Sequence, residues 1–498
     1  MRWNVLIPLF IYLLLLIGIA WVVFRRRRAI AVGDQSAHYY IGNRNLGWLV
    51  LVFTLLSSLA SAGTFIGGPG LVYGGGYGWV LAFMGQAPAS FVILGLLGKK
   101  FAIVARKLGA VTVIDVLRHR YESRFVVGLG SLGIVLFLIA YMTAQFTGGG
   151  RVIQAVTGLP YVWVVVIVAG VLVIYTSLGG FLADVVSDTL QGVIMFFGGI
   201  VLWIAILTAI GGMAPVNDAV VEQDPDLLLL PGAADLFSWT IFSYFIVFGL
   251  ASLALPHLTV RAMSYRDSKT VHQAMIVGPV VCAVFTLGFS TMGMVAHPYF
   301  PDLASGDLAL PKLILEVLPG PLAGALLAAP LAAIMSTVDS MLLVVSSTIV
   351  RDVYRRYIRQ NASDREIALL GPTVSAVIGI IVLLLALNPP KYLELVVIFA
   401  IGGLGSLFFI PLLVGLYWRR GSTLGAICGM VGGLVYYILA TQWLPQLALG
   451  MQSVVMSLVV SAVLYVIGSY VSGPPPQRIL IKFWGTSQDV NRVLQAER

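Results

Sequence analysis

Thirteen stretches of about 20 apolar residues recur along the chain: 4–24, 46–74, 77–98, 126–148, 160–178, 187–211, 237–257, 271–296, 322–348, 367–388, 392–417, 422–441 and 451–472. A run of that length has few ways to fold. As a helix rising about 1.5 Å per residue it crosses roughly 30 Å of hydrocarbon and satisfies its own backbone groups. A membrane barrel would alternate apolar and polar residues over about ten positions, and these runs do not. The expectation is an all-α polytopic membrane protein with about 13 transmembrane helices. Composition agrees: 10% of residues are charged and 59% hydrophobic, against about 25% charged in soluble domains. Cys282 and Cys428 sit in apolar surroundings and supply neither a disulfide framework nor a thiolate metal site.

The placement of charge sets an orientation. Arg25-Arg26-Arg27-Arg28 follows the first apolar run, whereas a secretory signal carries its charge ahead of it, so a retained first helix is expected. With loops alternating in and out, 26 of the 30 Lys and Arg fall on one side, leaving Arg2, Arg151, Lys312 and Lys391 on the other. The positive-inside rule then puts the N-terminus outside and the C-terminus in the cytoplasm. It also accounts for the net charge of +9 without a nucleic-acid partner: the basic clusters at 99–124, 261–269, 351–365 and 419–420 read as topology determinants facing anionic lipid. The acidic stretches 212–236 and 297–315, the latter with Asp302 and Asp307, read as solvated outer loops. Residues 1–472 read as one transmembrane domain, and the tail 473–498, opened by Pro474-Pro475-Pro476, reads as polar and partly disordered. There is no soluble signalling domain, no clustered His/Asp/Glu set and no Ser–His pair, which argues against a sensor, an enzyme or an obligate protein partner. Gly74-Gly75-Gly76-Tyr77-Gly78 lacks the lysine and Ser/Thr of a phosphate loop.

Polar groups inside the apolar runs carry the functional signal. Ala333, Ser336, Thr337 and Ser340 fall at i, i+3, i+4 and i+7, one helical face, with Asp339 beside them. Such a face presents oxygen, the ligand of a hard cation such as Na⁺. Ser57-Ser58-Leu59-Ala60-Ser61-Ala62-Gly63-Thr64-Phe65-Ile66-Gly67-Gly68-Pro69-Gly70 concentrates small and helix-breaking residues at membrane depth. It reads either as a broken helix lining an ion or substrate site or as a small-residue packing seam. Asp188 opens an apolar run, where an ionised carboxylate costs about 2.5 kcal/mol or more, and no Lys or Arg is expected mid-span to neutralise it or Asp339. Tyr175 to Phe181 and Asp184 precede it, Asp184 fitting a helix N-cap. Thr143, Gln145 and Thr147 lead to Gly148-Gly149-Gly150-Arg151, and Arg151 suits either a substrate carboxylate or an interfacial anchor. Phe248 to Leu253 precede Pro256-His257, a second expected helix break.

These stretches resemble the bacterial sodium/solute symporter family over nearly the whole length. Gly179-Gly180-Phe181 with Asp188-Thr189, Pro256-His257 and Ala329-Pro330-Leu331-Ala332-Ala333-Ile334-Met335-Ser336-Thr337 carry the likeness. Phe65-Ile66-Gly67-Gly68-Pro69-Gly70, Leu97-Gly98-Lys99-Lys100-Phe101-Ala102 and Asp267-Ser268-Lys269-x-Val271-His272 resemble its pantothenate branch. The resemblance implies a LeuT-type core of five plus five inverted-repeat helices, with one helix before it and two after. It implies Na⁺ as coupling ion and uptake of pantothenate or a related carboxylate across the cytoplasmic membrane. The ion site it implies uses Ser57, Ala60, Ala333, Ser336 and Thr337, with Asp188, Asp339 and Ser340 holding a second cation or tuning the field. The substrate pocket it implies includes Ser61, Thr64, Gln145, Phe248, Ser252 and Gly405.

Overall fold

The computed structural model describes residues 3–28, 46–229 and 238–496, without the side chains of 19–28, 90, 175, 177–186, 238, 364–365 and 368. The side chains of Arg25 to Arg28, Tyr175, Ser177, Phe181 and Asp184, and all of Asp235, therefore lie outside what is described. Among the described residues, strand-like backbone pairing is confined to one bridge, between Leu46 and Tyr265.

The helices used below are α1 (Trp3–Arg28), α2 (Trp48–Leu59), α3 (Gly68–Gly75), α4 (Val113–Tyr121), α5 (Arg124–Thr157), α6 (Tyr161–Val193), α7 (Pro256–Met263), α8 (Ser268–Ser290), α9 (Ala328–Ser347), α10 (Leu393–Tyr417), α11 (Thr423–Gln442), α12 (Ser453–Val471), α13 (Gln477–Trp484) and α14 (Ser487–Ala496). Eight helices among the described residues are long and apolar enough to cross a membrane, and two bent pairs bring the number to ten. Of two further helices, α1 and α6, only the parts with described side chains, Trp3–Gly18 and Tyr161–Ile174, are seen to be apolar, and 77–98 is cut by a 3₁₀ turn at Met84–Gln86, just before Pro88. Thirteen thus remains the expectation of the sequence. The backbone is helical throughout Tyr161–Val193, including the loop expected at 179–186.

Both bent pairs follow from local chemistry. In α2 the hydroxyls of Ser57 and Ser58 turn back onto the Thr54 carbonyl at 3.0 and 2.8 Å, an alternative partner that weakens the helical ladder. Ala60 then takes an extended conformation (φ −77°, ψ 122°), and the chain resumes through π turns at Gly63–Gly67 before α3. The two halves meet at 58°. In the second pair Leu255 is extended (φ −74°, ψ 115°) ahead of Pro256, the conformation a following proline imposes. This pair is also bent by 58°.

The breaks lie at the centre of the packing. The apolar window of Gly320–Ile358, which contains α9, is 100% buried, against 28% for Ser187–Ala209, so α9 is an inner helix. Missing side chains let the backbones of its neighbours approach one another. A Cβ on Gly148 of α5 would stand 2.7 Å from the Ala62 Cβ, and one on Gly192 of α6 would stand 2.6 Å from the Phe53 carbonyl oxygen. Gly425, Gly429 and Gly433 of α11 lie against Ser461, Tyr465 and Ser469 of α12, a small-residue seam of the kind that joins helices in lipid.

The tail corrects the expectation of partial disorder. It forms α13 and α14, and Ile479, Lys482 and Phe483, spaced i, i+3 and i+4, are all buried. Lys482 donates to Glu122 at 2.9 Å. A short amphipathic face supplied enough apolar area to dock once a carboxylate received its lysine.

Candidate functional site

Where α9 passes the break between α2 and α3, five oxygens converge. Ser336 Oγ donates to the Ser57 carbonyl at 2.7 Å and to its own helix at Ala333 O, 3.1 Å. Thr337 Oγ1 donates to the Ala60 carbonyl at 3.3 Å and to Ala333 O at 2.8 Å. Ser57, Ala333, Ser336 and Thr337 are fully buried and Ala60 is 3% exposed. The extended Ala60 is what frees the α2 carbonyls: with no next helical turn in register, they lack N–H partners and face α9. The result is a compact set of neutral oxygens with no basic side chain among them, the donor chemistry of a hard monovalent cation.

One turn further along α9 the environment changes, and here the structure corrects the sequence reading. Arg261 of α7, assigned above to a lipid-facing basic cluster, is 1% exposed. Its guanidinium pairs with Asp188 of α6, donates to Ser340 Oγ at 2.5 Å and Thr54 Oγ1 at 3.1 Å, and folds back onto the His257 carbonyl at 2.8 Å. Thr54 in turn donates to Asp188 at 3.2 Å. A basic side chain therefore does lie at membrane depth and neutralises Asp188. The bend before Pro256 directs α7 inward, and the long arginine stem carries the charge to the carboxylate. Asp339 accepts from Thr176 Oγ1. The positive charge beside Asp188 and Ser340 is the protein's own.

The expected substrate residues divide into three groups. Ser61, Thr64 and Gln145 surround the first break: Gln145 Oε1 accepts from Ala62 N–H at 2.8 Å, Ser61 Oγ from Gly63 N–H at 3.0 Å, and Thr64 Oγ1 from Ser61 N–H at 3.4 Å. These replace the backbone partners that the break removes. Gln145 is fully buried, and among the described residues its Nε2 has no hydrogen-bond partner. Phe248 and Ser252 belong to the second break, where Phe248 lies 5.2 Å from the Phe83 ring and Ser252 Oγ donates to Gly249 O at 3.0 Å. Gly405 of α10 packs against Ala251 in the same region. Arg151 is turned away, onto the Tyr161 ring at 5.0 Å and Gln154 Oε1 at 3.1 Å.

Two carboxylates that sequence reasoning passed over press on the outer half of the broken helix. Glu394, in the first turn of α10, is 2% exposed, its Oε2 lacks a hydrogen-bond partner, and it fills the space beside Gly63 and Gly67. Asp307, read as a residue of a solvated loop, is fully buried; it accepts from Leu393 N–H at 3.1 Å and lies against Gly70. Burial pushes the Asp307 carboxyl up to about 7, against the opposing pull of the Leu393 N–H and Arg151. Glu394 was visible as the one acid in the Leu393–Tyr417 run, a signal the reading did not use. Asp307 gave no signal, because a loop residue is buried only by what packs over it.

Paired helix breaks beside a dry cluster of oxygens, inside a multi-pass helical bundle, are the architecture of a secondary transporter. The sequence model of the Sodium:solute symporter family matches residues 39–433. The sodium/pantothenate symporter of Escherichia coli (strain K12) is 39% identical over 97% of this chain and 99% of its own length. That of Haemophilus influenzae is 36% identical over 94% and 96%. Among solved structures, a Na⁺-coupled sialic acid symporter in a substrate-bound, outward-open state shares the fold, with a TM-score of 0.78 at 21% identity, covering 95% of this chain and 99% of that one. The chain belongs to the Sodium:solute symporter family, and is a multi-pass membrane transporter rather than an enzyme.

Proposed function

We propose that this protein takes up pantothenate together with Na⁺ across the bacterial cytoplasmic membrane by alternating access. The observation that carries the reading is the convergence of the Ser57, Ala60 and Ala333 carbonyls with the Ser336 and Thr337 hydroxyls across the first break. In this arrangement the two hydroxyls satisfy the carbonyls. A sodium ion entering between them takes the oxygen lone pairs of both, the hydroxyl hydrogens rotating away. The ion then ties α9 to the α2/α3 break, and whichever conformation closes the five oxygens gains its binding free energy. Near this point Asp188 and Arg261 cancel each other's charge, so no net positive charge from that pair opposes a cation.

For the co-transported solute, Gln145 Nε2 is a buried donor without a protein acceptor beside Ala62. A carboxylate or amide oxygen placed there removes the cost of the unmade hydrogen bond. The likeness to two sodium/pantothenate symporters over nearly full length supports pantothenate as that solute. The test is uptake of labelled pantothenate into proteoliposomes with Na⁺ and proton gradients imposed separately. A Na⁺ gradient should drive accumulation. Ser336→Ala and Thr337→Ala should each raise the Na⁺ concentration for half-maximal uptake about tenfold, the equivalent of one lost ligand of about 1.4 kcal/mol. Unchanged Na⁺ dependence in both variants, or accumulation driven as well by protons alone, overturns the assignment.

A further inference from the structure

A cavity of about 300 Å³ opens where α4, the start of α5, the end of the Gly320–Ile358 span and the tail helix α13 meet. Its charged lining is Arg118, Arg124, Arg356 and Lys482 against a single carboxylate, Glu122. Glu122 is already engaged by Lys482 at 2.9 Å and by Arg478 at 2.6 Å. Arg356 is held by Asp115 behind the wall. Arg118 is held more loosely than Arg356: its ion pair with Asp115 is 3.6 Å long, and among the described residues its buried Nε has no hydrogen-bond partner.

Histidine 119 shows what this does to the local field. Arg118 Nη2 lies 3.1 Å from His119 Nε2. A guanidinium only donates, so that nitrogen accepts and the ring hydrogen sits on Nδ1. Burial and the Arg118 charge push the imidazole down to about 4, so it stays neutral in a cell. The cavity therefore offers guanidinium forks and hydrogen-bond donors from several directions, with its carboxylate and the His119 Nε2 acceptor already occupied. Planar guanidinium groups converging from more than one side suit a tetrahedral oxyanion, and the volume admits a small organic group attached to it.

We propose that this cavity is a binding site for a phosphate-bearing anion, either a soluble phosphomonoester or the headgroup of an anionic lipid, and that its occupancy alters the transport rate. The coupling has a direct route. Arg356 and Tyr357 end the same span, Gly320–Ile358, that carries Ser336 and Thr337, and Lys482 anchors the tail to α4 through Glu122. An anion bridging these elements favours one relative position of them over another.

The test uses the full chain. In detergent, equilibrium dialysis with labelled inorganic phosphate and with glycerol 3-phosphate should show saturable binding that acetate does not displace at equal concentration. In phosphatidylcholine vesicles, adding phosphatidylglycerol should change the pantothenate uptake rate if the ligand is a lipid, and glycerol 3-phosphate should change it if the ligand is soluble. Arg118→Gln should weaken binding about tenfold and abolish the rate change while leaving the Na⁺ concentration for half-maximal uptake as it was. Arg124→Gln, on an exposed helix start, repeats the test should the first variant misfold. Absence of binding in both arms, equal displacement by acetate, or wild-type binding by both variants overturns the site. Binding without any rate change overturns the coupling. The dialysis readout does not depend on pantothenate being the cargo, so failure here is distinguishable from failure of the transport reading.

Discussion

Arg261 and Asp188 form a pair with almost no access to solvent, at 1% and 0% side-chain exposure. Removing one partner strands the other charge, at a cost of about 3–5 kcal/mol, whereas replacing both by apolar groups is often close to neutral. Arg261→Met and Asp188→Leu should each lower the thermal unfolding midpoint in detergent, and the double variant should recover most of the loss. A double variant as unstable as the sum of the singles would refute an energetic pair. Asp307 predicts a pH effect of definite sign. Its carboxyl is raised from 3.8 to about 7 by burial in the folded protein. Between those values the folded chain binds a proton that the unfolded chain does not, so stability falls as pH rises across that window and levels off above it. Asp307→Asn should flatten the dependence of the unfolding midpoint between pH 5 and pH 8. At this scale the hydroxyls of α9 were legible, because polar residues at helical spacing in an apolar run stand out. Arg261 was not, since its position in the chain matches a loop-edge cation and only the bend at Leu255 turns it inward.

Among the elements, the approach of α6 to α2 holds this pair in place. A side chain on Gly192 would press on the Phe53 carbonyl, a backbone atom that cannot swing aside. Gly192→Val should push the helices apart, loosen the Thr54–Asp188–Arg261 network one turn away, and cost about 1–3 kcal/mol by overpacking. Thermal unfolding together with the Na⁺ dependence of uptake checks this: a variant with wild-type values for both would show that the close approach carries no load. Ser57–Gly70 read either as a break or as a packing seam until the extended Ala60 decided it, while the break before Pro256 was readable in advance, because proline acts locally. The docking of α13 was not. Its buried face is only three residues wide, one of them a lysine, and Glu122, which receives Lys482, lies 360 positions earlier.

For the whole molecule, orientation is the open prediction. The charge bias places the N-terminus outside and the C-terminus inside. With Cys282 and Cys428 replaced by serine, a single cysteine introduced near Arg2 should react with a membrane-impermeant maleimide on intact cells, and one near Arg498 only after permeabilisation; the reverse pattern would invert the topology. The sequence by itself determined that this is an apolar helical bundle, that a helix breaks before Pro256, and which face of α9 offers oxygen, because these depend on composition and on spacing within a few turns. Only the tertiary structure decided which groups meet. It brought the Ser57 and Ala60 carbonyls to Ser336 and Thr337 across 277 and 279 positions, set Arg261 against Asp188, and buried Asp307 and Glu394 on the glycines of the broken helix. Those meetings depend on backbones approaching where side chains are absent, and on which long side chain reaches a buried charge, neither of which a linear pattern encodes.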